Sequence, residues 1–95
     1  MTRDEILKAA RQCVSVDRAA TYGDARLNFT SVANLWQAYI DAKDGKALKP
    51  EDVPIMMALF KIARMVANPA HADGPIDACG YLALAGELST MVDKV

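Results

Sequence analysis

Apolar residues recur at steps of three and four through four stretches of the chain, separated by short polar interruptions, and this spacing predicts helices throughout. Ahead of the first stretch, Thr2-Arg3-Asp4-Glu5 reads as a capping box, in which the Thr2 hydroxyl accepts the Glu5 amide while the Glu5 side chain reaches back. Ile6, Leu7, Ala10, Cys13 and Val14 then form one apolar stripe that runs to about Val16 or somewhat beyond, with Lys8 and Arg11 on the outer face. The segment Asp17–Asp24 breaks the stripe and is the expected first connection. There Gly23 suits a left-handed backbone and Asp24 suits a cap for the second helix. From Ala25 to Lys43 the positions Phe29, Val32, Ala33, Trp36, Tyr39 and Ile40 make the strongest stripe of the chain, ended by Gly45.

Lys46 to Glu51 is a polar connection in which Pro50 stops continuation, and Asp52 is the expected cap of a third helix with Pro54 inside its first turn. Val53, Met56, Met57, Phe60, Ala63 and residues 65–67 surround much of that helix, which predicts a central place in the core or in a subunit interface. Lys61 and Arg64 interrupt its apolar surface, and Asn68-Pro69 ends it, leaving His71 in the third connection. Asp73 is the expected cap of a fourth helix, whose apolar positions are Ile76, Cys79, Ala83, Leu84, Leu88, Met91 and Val92. Gly80, Ala83 and Gly86 place small residues at three-residue steps, a surface suited to an antiparallel neighbour or a symmetry mate. Short loops between successive helices predict an all-α protein, a small antiparallel four-helix bundle forming a single domain over residues 1–95.

Length and composition add four expectations to this picture. A chain of 95 residues has a marginal core of its own, so a homo-oligomer is expected. With 11 basic against 12 acidic residues there is no general attraction to nucleic acid or anionic lipid, and neither is an expected partner. Cys13 and Cys79 lack metal or redox spacing and fall among apolar positions, which predicts buried free thiols in a reducing compartment. There is no apolar signal core and no run of about 18 to 20 apolar residues, so a cytoplasmic location is expected.

Candidate chemistry gathers in residues 61–81, which hold two cations, the only histidine, two aspartates and a tyrosine around one turn. Lys61 and Arg64 share one helix face, as Asp73 and Asp77 share another. Together they can form a polar pocket, with cations for phosphate, carboxylates for a sugar hydroxyl, a base amino group or a metal, and Tyr81 for a base. The same residues also suit an interhelical Arg64–Asp77 salt bridge that only locks the packing. A second constellation lies in and after the first connection, where Arg18, Tyr22 and Asn28 offer a guanidinium, an aromatic face and an amide. Phe29, Trp36 and Tyr39 read as core by their period. His71 has no second histidine for a metal pair and no nucleophile beside it, and reads as a loop residue facing ligand or solvent. No glycine-rich phosphate loop occurs, and Asp73 with Asp77 is not accompanied by an E-x-x-E pair for magnesium. No catalytic residue, metal or cofactor is therefore assigned.

In order, Arg18-x-x-x-Tyr22-Gly23, Asn28-Phe29, Leu35-Trp36, Asp52-Val53, Met56-Met57, Lys61-Ile62-Ala63-Arg64, Asp73, Asp77 and Gly80-Tyr81 resemble a family of small proteins encoded by tailed phages and prophages. The resemblance covers about Asp17 to Glu87. The chain is also distantly similar to the phage nucleotide-modification-associated domain, which shares an early Tyr-Gly and a late Asp-x-x-x-Asp-x-x-x-Tyr-like segment. It is more loosely similar to the MazG-like all-helical nucleotide pyrophosphohydrolases. These resemblances imply a phage origin and a nucleotide connection, and the missing E-x-x-E departs from the hydrolase pattern. The expected function is a non-catalytic binder of a nucleotide or nucleotide-derived immune signal, an anti-defence protein in the cytoplasm of an infected bacterium. Lys61 and Arg64 would meet phosphate, Tyr22 or Tyr81 would stack on a base, and Asp73 or Asp77 would orient sugar or base. Arg18, Asn28 and His71 complete the expected ligand-binding set. Two alternatives stand beside it: a magnesium-dependent pyrophosphohydrolase drawing extra carboxylates from Asp17, Asp24 or Glu87, and a phage structural or host-interaction protein with no small ligand.

Overall fold

A computed structural model describes residues 1–91 of the chain. In order it forms α1 (Arg3–Gln12), a π turn (Cys13–Asp17), α2 (Arg18–Tyr22), α3 (Ala25–Ala42), α4 (Asp52–Ala67) and α5 (Asp73–Thr90), with no strand among the described residues. The expected apolar position Val92 lies outside them. Several boundaries follow from local chemistry. The Thr2 hydroxyl accepts the Glu5 amide at 3.2 Å, and the Asp24 carboxylate accepts the Arg26 amide at 2.7 Å. Gly23 and Gly45 take φ of 72° and 68°, a region open to glycine at little cost.

The first connection is shorter than the sequence predicts. Residues 17–22 stay helical, because the π turn absorbs the break in the stripe and Arg18-Ala19-Ala20 has good helix propensity; only Gly23 and Asp24 form the loop. Thr21 Oγ1 donates to the Asp17 carbonyl at 2.9 Å within this segment. Two expected caps are also corrected. Asp73 begins α5 with no side-chain cap bond at the preceding position. Asp52 turns its carboxylate backward into the α3–α4 connection instead of capping α4.

That backward turn builds a buried lock. Asp52 is only 3% exposed and accepts the Tyr39 hydroxyl, the Lys49 amide at 2.6 Å and the Lys43 ammonium at 3.1 Å. The Lys49 amide, then the Tyr39 hydroxyl, hold the Asp52 carboxyl down to about 2, while its bond to Asp52 and its burial push Tyr39 up to about 12. Trp36 Nε1 donates to the Met56 carbonyl at 2.7 Å, a second tie between α3 and α4.

As expected, α4 is central, packing on α3 and on α5, while α2 touches α3. The contact surfaces are made of small residues: Ala58, Ala63, Ala78 and Ala85 are buried, and so is Gly74. A β-carbon at Gly74 would stand 2.7 Å from Met65 Cγ, so α4 and α5 approach closely at their shared corner. The small-residue face of α5 is therefore Gly74, Ala78 and Ala85, whereas Gly80, Ala83 and Gly86 are exposed. Steps of four and then seven keep the former set on one seam, while steps of three drift off it.

Further corrections concern burial. No residue of α1 is buried, so its apolar stripe faces solvent instead of a core. Cys13 and Cys79 are free but exposed, and Phe29 is 46% exposed. The Cα radius of gyration, 16.1 Å, exceeds the roughly 12 Å of a compact domain of this length. The projecting N-terminal helix accounts for the excess. No helix among the described residues is long and apolar enough to cross a membrane.

Candidate functional site

Tyr22, the last residue of α2, is held by the corner between α4 and α5. Asn68 Nδ2 donates to the Thr21 carbonyl at 3.0 Å, which draws the end of α4 against the end of α2. The Arg64 guanidinium then lies between two rings, 4.6 Å from the Tyr22 centroid and 4.4 Å from that of Phe60. The His71 ring stands 5.8 Å from the Tyr22 ring at 52°. The Arg18 guanidinium covers the Phe29 ring at 5.2 Å. Among the described residues neither Arg18 nor Arg64 has a carboxylate within ion-pair distance.

Asn28 shares a concavity with Arg18 and Tyr22. It is 5% exposed, and neither its Oδ1 nor its Nδ2 has a hydrogen-bond partner. Arg64 Nε and His71 Nδ1 are also buried without partners. Leaving such groups unpaired costs about 1 to 3 kcal/mol each, so this density of them at one place is unusual for a structural core. Two concavities meet at Tyr22 and Asn28. One, of about 250 Å³, is walled by Leu27, Ser31, Ala63 and Val66; the other, of about 310 Å³, by Val14, Arg18, Gly23 and Phe29. A wider concavity, about 640 Å³, follows the polar side of α1 past Lys8 and Gln12 and holds none of the candidate residues.

The residues singled out in the sequence thus divide. Arg18, Tyr22, Asn28, Arg64 and His71 come together, with Asp73 at the edge, its Oδ2 3.9 Å from His71 Nδ1. Lys61 and Asp77 leave the cluster and pair with each other at 2.9 Å. The Arg64–Asp77 bridge does not form, because residues equally far from the corner meet: Met65 faces Gly74 and, a turn further on, Lys61 faces Asp77. Tyr81 lines a concavity with Ile76 and Asp77 and an apolar groove with Val53, Met57 and Leu88, neither sharing a residue with the concavities at Tyr22.

Among the described residues no three of His, Cys, Asp and Glu gather so as to hold a metal ion, and Asp17, Asp24 and Glu87 do not join Asp73 and Asp77 in such a group. Two participants escaped the sequence reading, Phe60 and Asn68. Their signal was present in the four-residue steps Phe60, Arg64, Asn68, which set ring, guanidinium and amide along one helix face.

Fold and cluster together define a small all-helical protein with two concavities that share Tyr22 and Asn28, one of them bordered by Arg18 and Phe29. The chain belongs to the family described as Domain of unknown function (DUF6378), which it matches over residues 5–89. It is 44% identical over 86 residues to the Gene 55 protein of Mycobacterium phage L5, covering 90% of this chain and 51% of that protein. It is 33% identical over 78 residues to the Gene 55 protein of Mycobacterium phage D29, covering 82% and 49%. The chain thus spans about half the length of the curated relatives it matches. No solved structure matches it. A family of small phage proteins is shown by these relatives.

Proposed function

We propose that the chain is a non-catalytic binder of a nucleotide or nucleotide-derived signal, taken up between the end of α2 and the α4–α5 corner. The carboxamide of Asn28, buried and without partners, carries this reading. A carboxamide presents a donor beside an acceptor, the complement of a nucleobase edge, and the Tyr22 ring beside it offers a stacking face. Arg18 and Arg64, unpaired with carboxylates among the described residues, supply forked donors for phosphate. Lys61, Asp77 and Tyr81 stand outside this arrangement.

The nucleotide as ligand class rests on the resemblance, read from the sequence alone, of the Tyr22-Gly23 and Asp73–Tyr81 segments to the phage nucleotide-modification-associated domain. The relatives are phage proteins, and the role proposed in that setting is anti-defence, the sequestering of a signal in the cytoplasm of an infected bacterium. An antiparallel bundle is the arrangement that the short α4–α5 connection favours. A magnesium-dependent hydrolase would draw on Asp73 and Asp77, but Asp77 is engaged by Lys61 and Asp73 lies beside His71.

Isothermal titration against mono-, di- and cyclic nucleotides, with protein on the order of 0.1 mM, tests the proposal. Saturable binding of one ligand class is expected, lost in Arg64→Ala and retained in Lys61→Ala. Absence of heat for the whole panel would sink the idea.

A further inference from the structure

Resting on the nucleotide reading above, we infer that the ligand is a guanine nucleotide, its base in the concavity between α3 and α4 with Asp24 and Asn28 on its Watson–Crick edge, and its phosphate toward Arg18. Asp24, the cap of α3, is followed at steps of four and three by Asn28 and Ser31, and all three line this concavity together with Ala63, Val66 and Ala67 of α4. The Asn28 amide N–H donates to the Asp24 carbonyl at 3.1 Å, so carboxylate and carboxamide lie one turn apart. Each concavity alone is small, but joined at Tyr22 and Asn28 the two reach the range of small-ligand sites, about 300 to 1,000 Å³.

The polar groups of the first concavity are rich in acceptors. Ser31 Oγ donates to the Leu27 carbonyl at 3.2 Å, which leaves only its lone pairs. The Asp24 carboxylate accepts the Arg26 amide through Oδ1, and no cation among the described residues pairs with it. Asn28, 5% exposed and bonded at neither end, adds one donor beside one acceptor, and its amide is free to present them in either order. The complement is an edge rich in donors. Guanine sets N1–H and the N2 amino group side by side next to the O6 acceptor, whereas adenine, cytosine and uracil would turn a C–H or a carbonyl oxygen toward the Asp24 carboxylate. That carboxylate also fixes the direction of the ligand. It repels phosphate from a concavity that no lysine, arginine or histidine borders among the described residues, while the adjoining one is bordered by Arg18, which has no carboxylate partner there.

Isothermal titration of the wild-type chain with the 5′-monophosphates of guanosine, inosine, xanthosine and adenosine tests the assignment. Guanosine monophosphate is expected to bind at least about tenfold more tightly than the adenosine form and than the inosine form, which lacks only the N2 amino group. Asp24→Asn keeps a helix cap of equal strength, so the melting temperature should hold. It also replaces an acceptor by an amide that can donate. Guanosine monophosphate is expected to weaken about tenfold or more in this variant, and the xanthosine form, whose C2 carbonyl accepts, to tighten. A purely structural role of Asp24 would weaken all four alike. Arg18→Gln is expected to reduce the advantage of guanosine monophosphate over guanosine. Three results would overturn the inference and leave the nucleotide reading standing: binding without preference for guanine, a guanine preference that Asp24→Asn does not move, or a phosphate advantage unchanged in Arg18→Gln. No heat from any of the four overturns it as well, and the nucleotide reading falls with it only when the di- and cyclic nucleotides are silent too.

Discussion

Replacing Asp52 by Ala is expected to lower the melting temperature by on the order of 10 °C or more, the largest loss available to a single side chain outside the helix contacts. The substitution leaves the Tyr39 hydroxyl, the Lys49 amide and the Lys43 ammonium without their common acceptor, all at a point that is almost closed to water. It also frees the α3–α4 connection, whose course is set by that carboxylate. Asp52→Asn keeps an acceptor oxygen and should lose less. The same lock sets the pH profile of the wild-type protein. Because folding holds the Asp52 carboxyl at about 2 against an ordinary 3.8, its contribution is fully present above the ordinary value and is lost as pH falls through about 2. Tyr39 has the opposite sign: raised to about 12 from 10.0, its contribution is complete below 10.0 and is lost as pH rises through about 12. Thermal melts between pH 2 and 7 should show the acid step in the wild type and not in Asp52→Ala. An unchanged melting temperature in Asp52→Ala would show that the connection is held by other means.

Asn28→Leu is expected to move stability and binding in opposite directions. Leucine keeps the forked skeleton of the amide side chain, its greater bulk taken up by the concavities that Asn28 lines, and relieves a donor and an acceptor that have no partners, so the free protein should gain about 1 to 3 kcal/mol in urea unfolding. Affinity for the proposed nucleotide ligand should fall by roughly a hundredfold or more, since both hydrogen bonds that the carboxamide would offer its edge disappear. Few buried polar residues give this combination. A gain in stability with affinity intact would make the amide irrelevant to the ligand. A loss of stability would mean that the amide is already bonded within the protein.

Signals confined to neighbouring residues were legible in the sequence. Thr2 and Asp24 cap as their positions suggest, Gly23 and Gly45 turn the chain, and the periodicity of residues 25–43 and 53–67 places α3 and α4 closely. What stayed hidden depends on partners distant in sequence. Asp52 has the local pattern of a cap, yet Tyr39, 13 positions away, offers it a better bond. Lys61 and Arg64 lie three apart and look interchangeable as partners for Asp77. The corner geometry gives Asp77 to Lys61, and the approach of Tyr22 gives Arg64 to the rings. That approach rests on a bond between Asn68 and Thr21, 47 positions apart, which no periodicity encodes. The stripe of α1 shows the limit from the other side, since hydrophobic spacing says that a face will be covered but not by which chain. Of the two constellations only part comes together: Arg64 and His71 join Tyr22 near Arg18 and Asn28, while Lys61, Asp77 and Tyr81 stand apart; the burial of Asn28 was not foreseeable from a position beside a glycine turn.

The π turn at Cys13–Asp17 governs something that no single side chain controls, the angular phase between α1 and everything after it. A turn closed five residues back spends one residue more than an α-helical turn, and one residue corresponds to about 100° around a helix axis. The azimuth of Ile6, Leu7 and Ala10 is therefore indexed by the number of residues in this segment, independently of their identity. Deleting one residue between Cys13 and Asp17 would re-aim the whole stripe by more than a quarter of a revolution while leaving every apolar residue in place. In this chain the length of the segment, more than its composition, sets where the N-terminal helix faces.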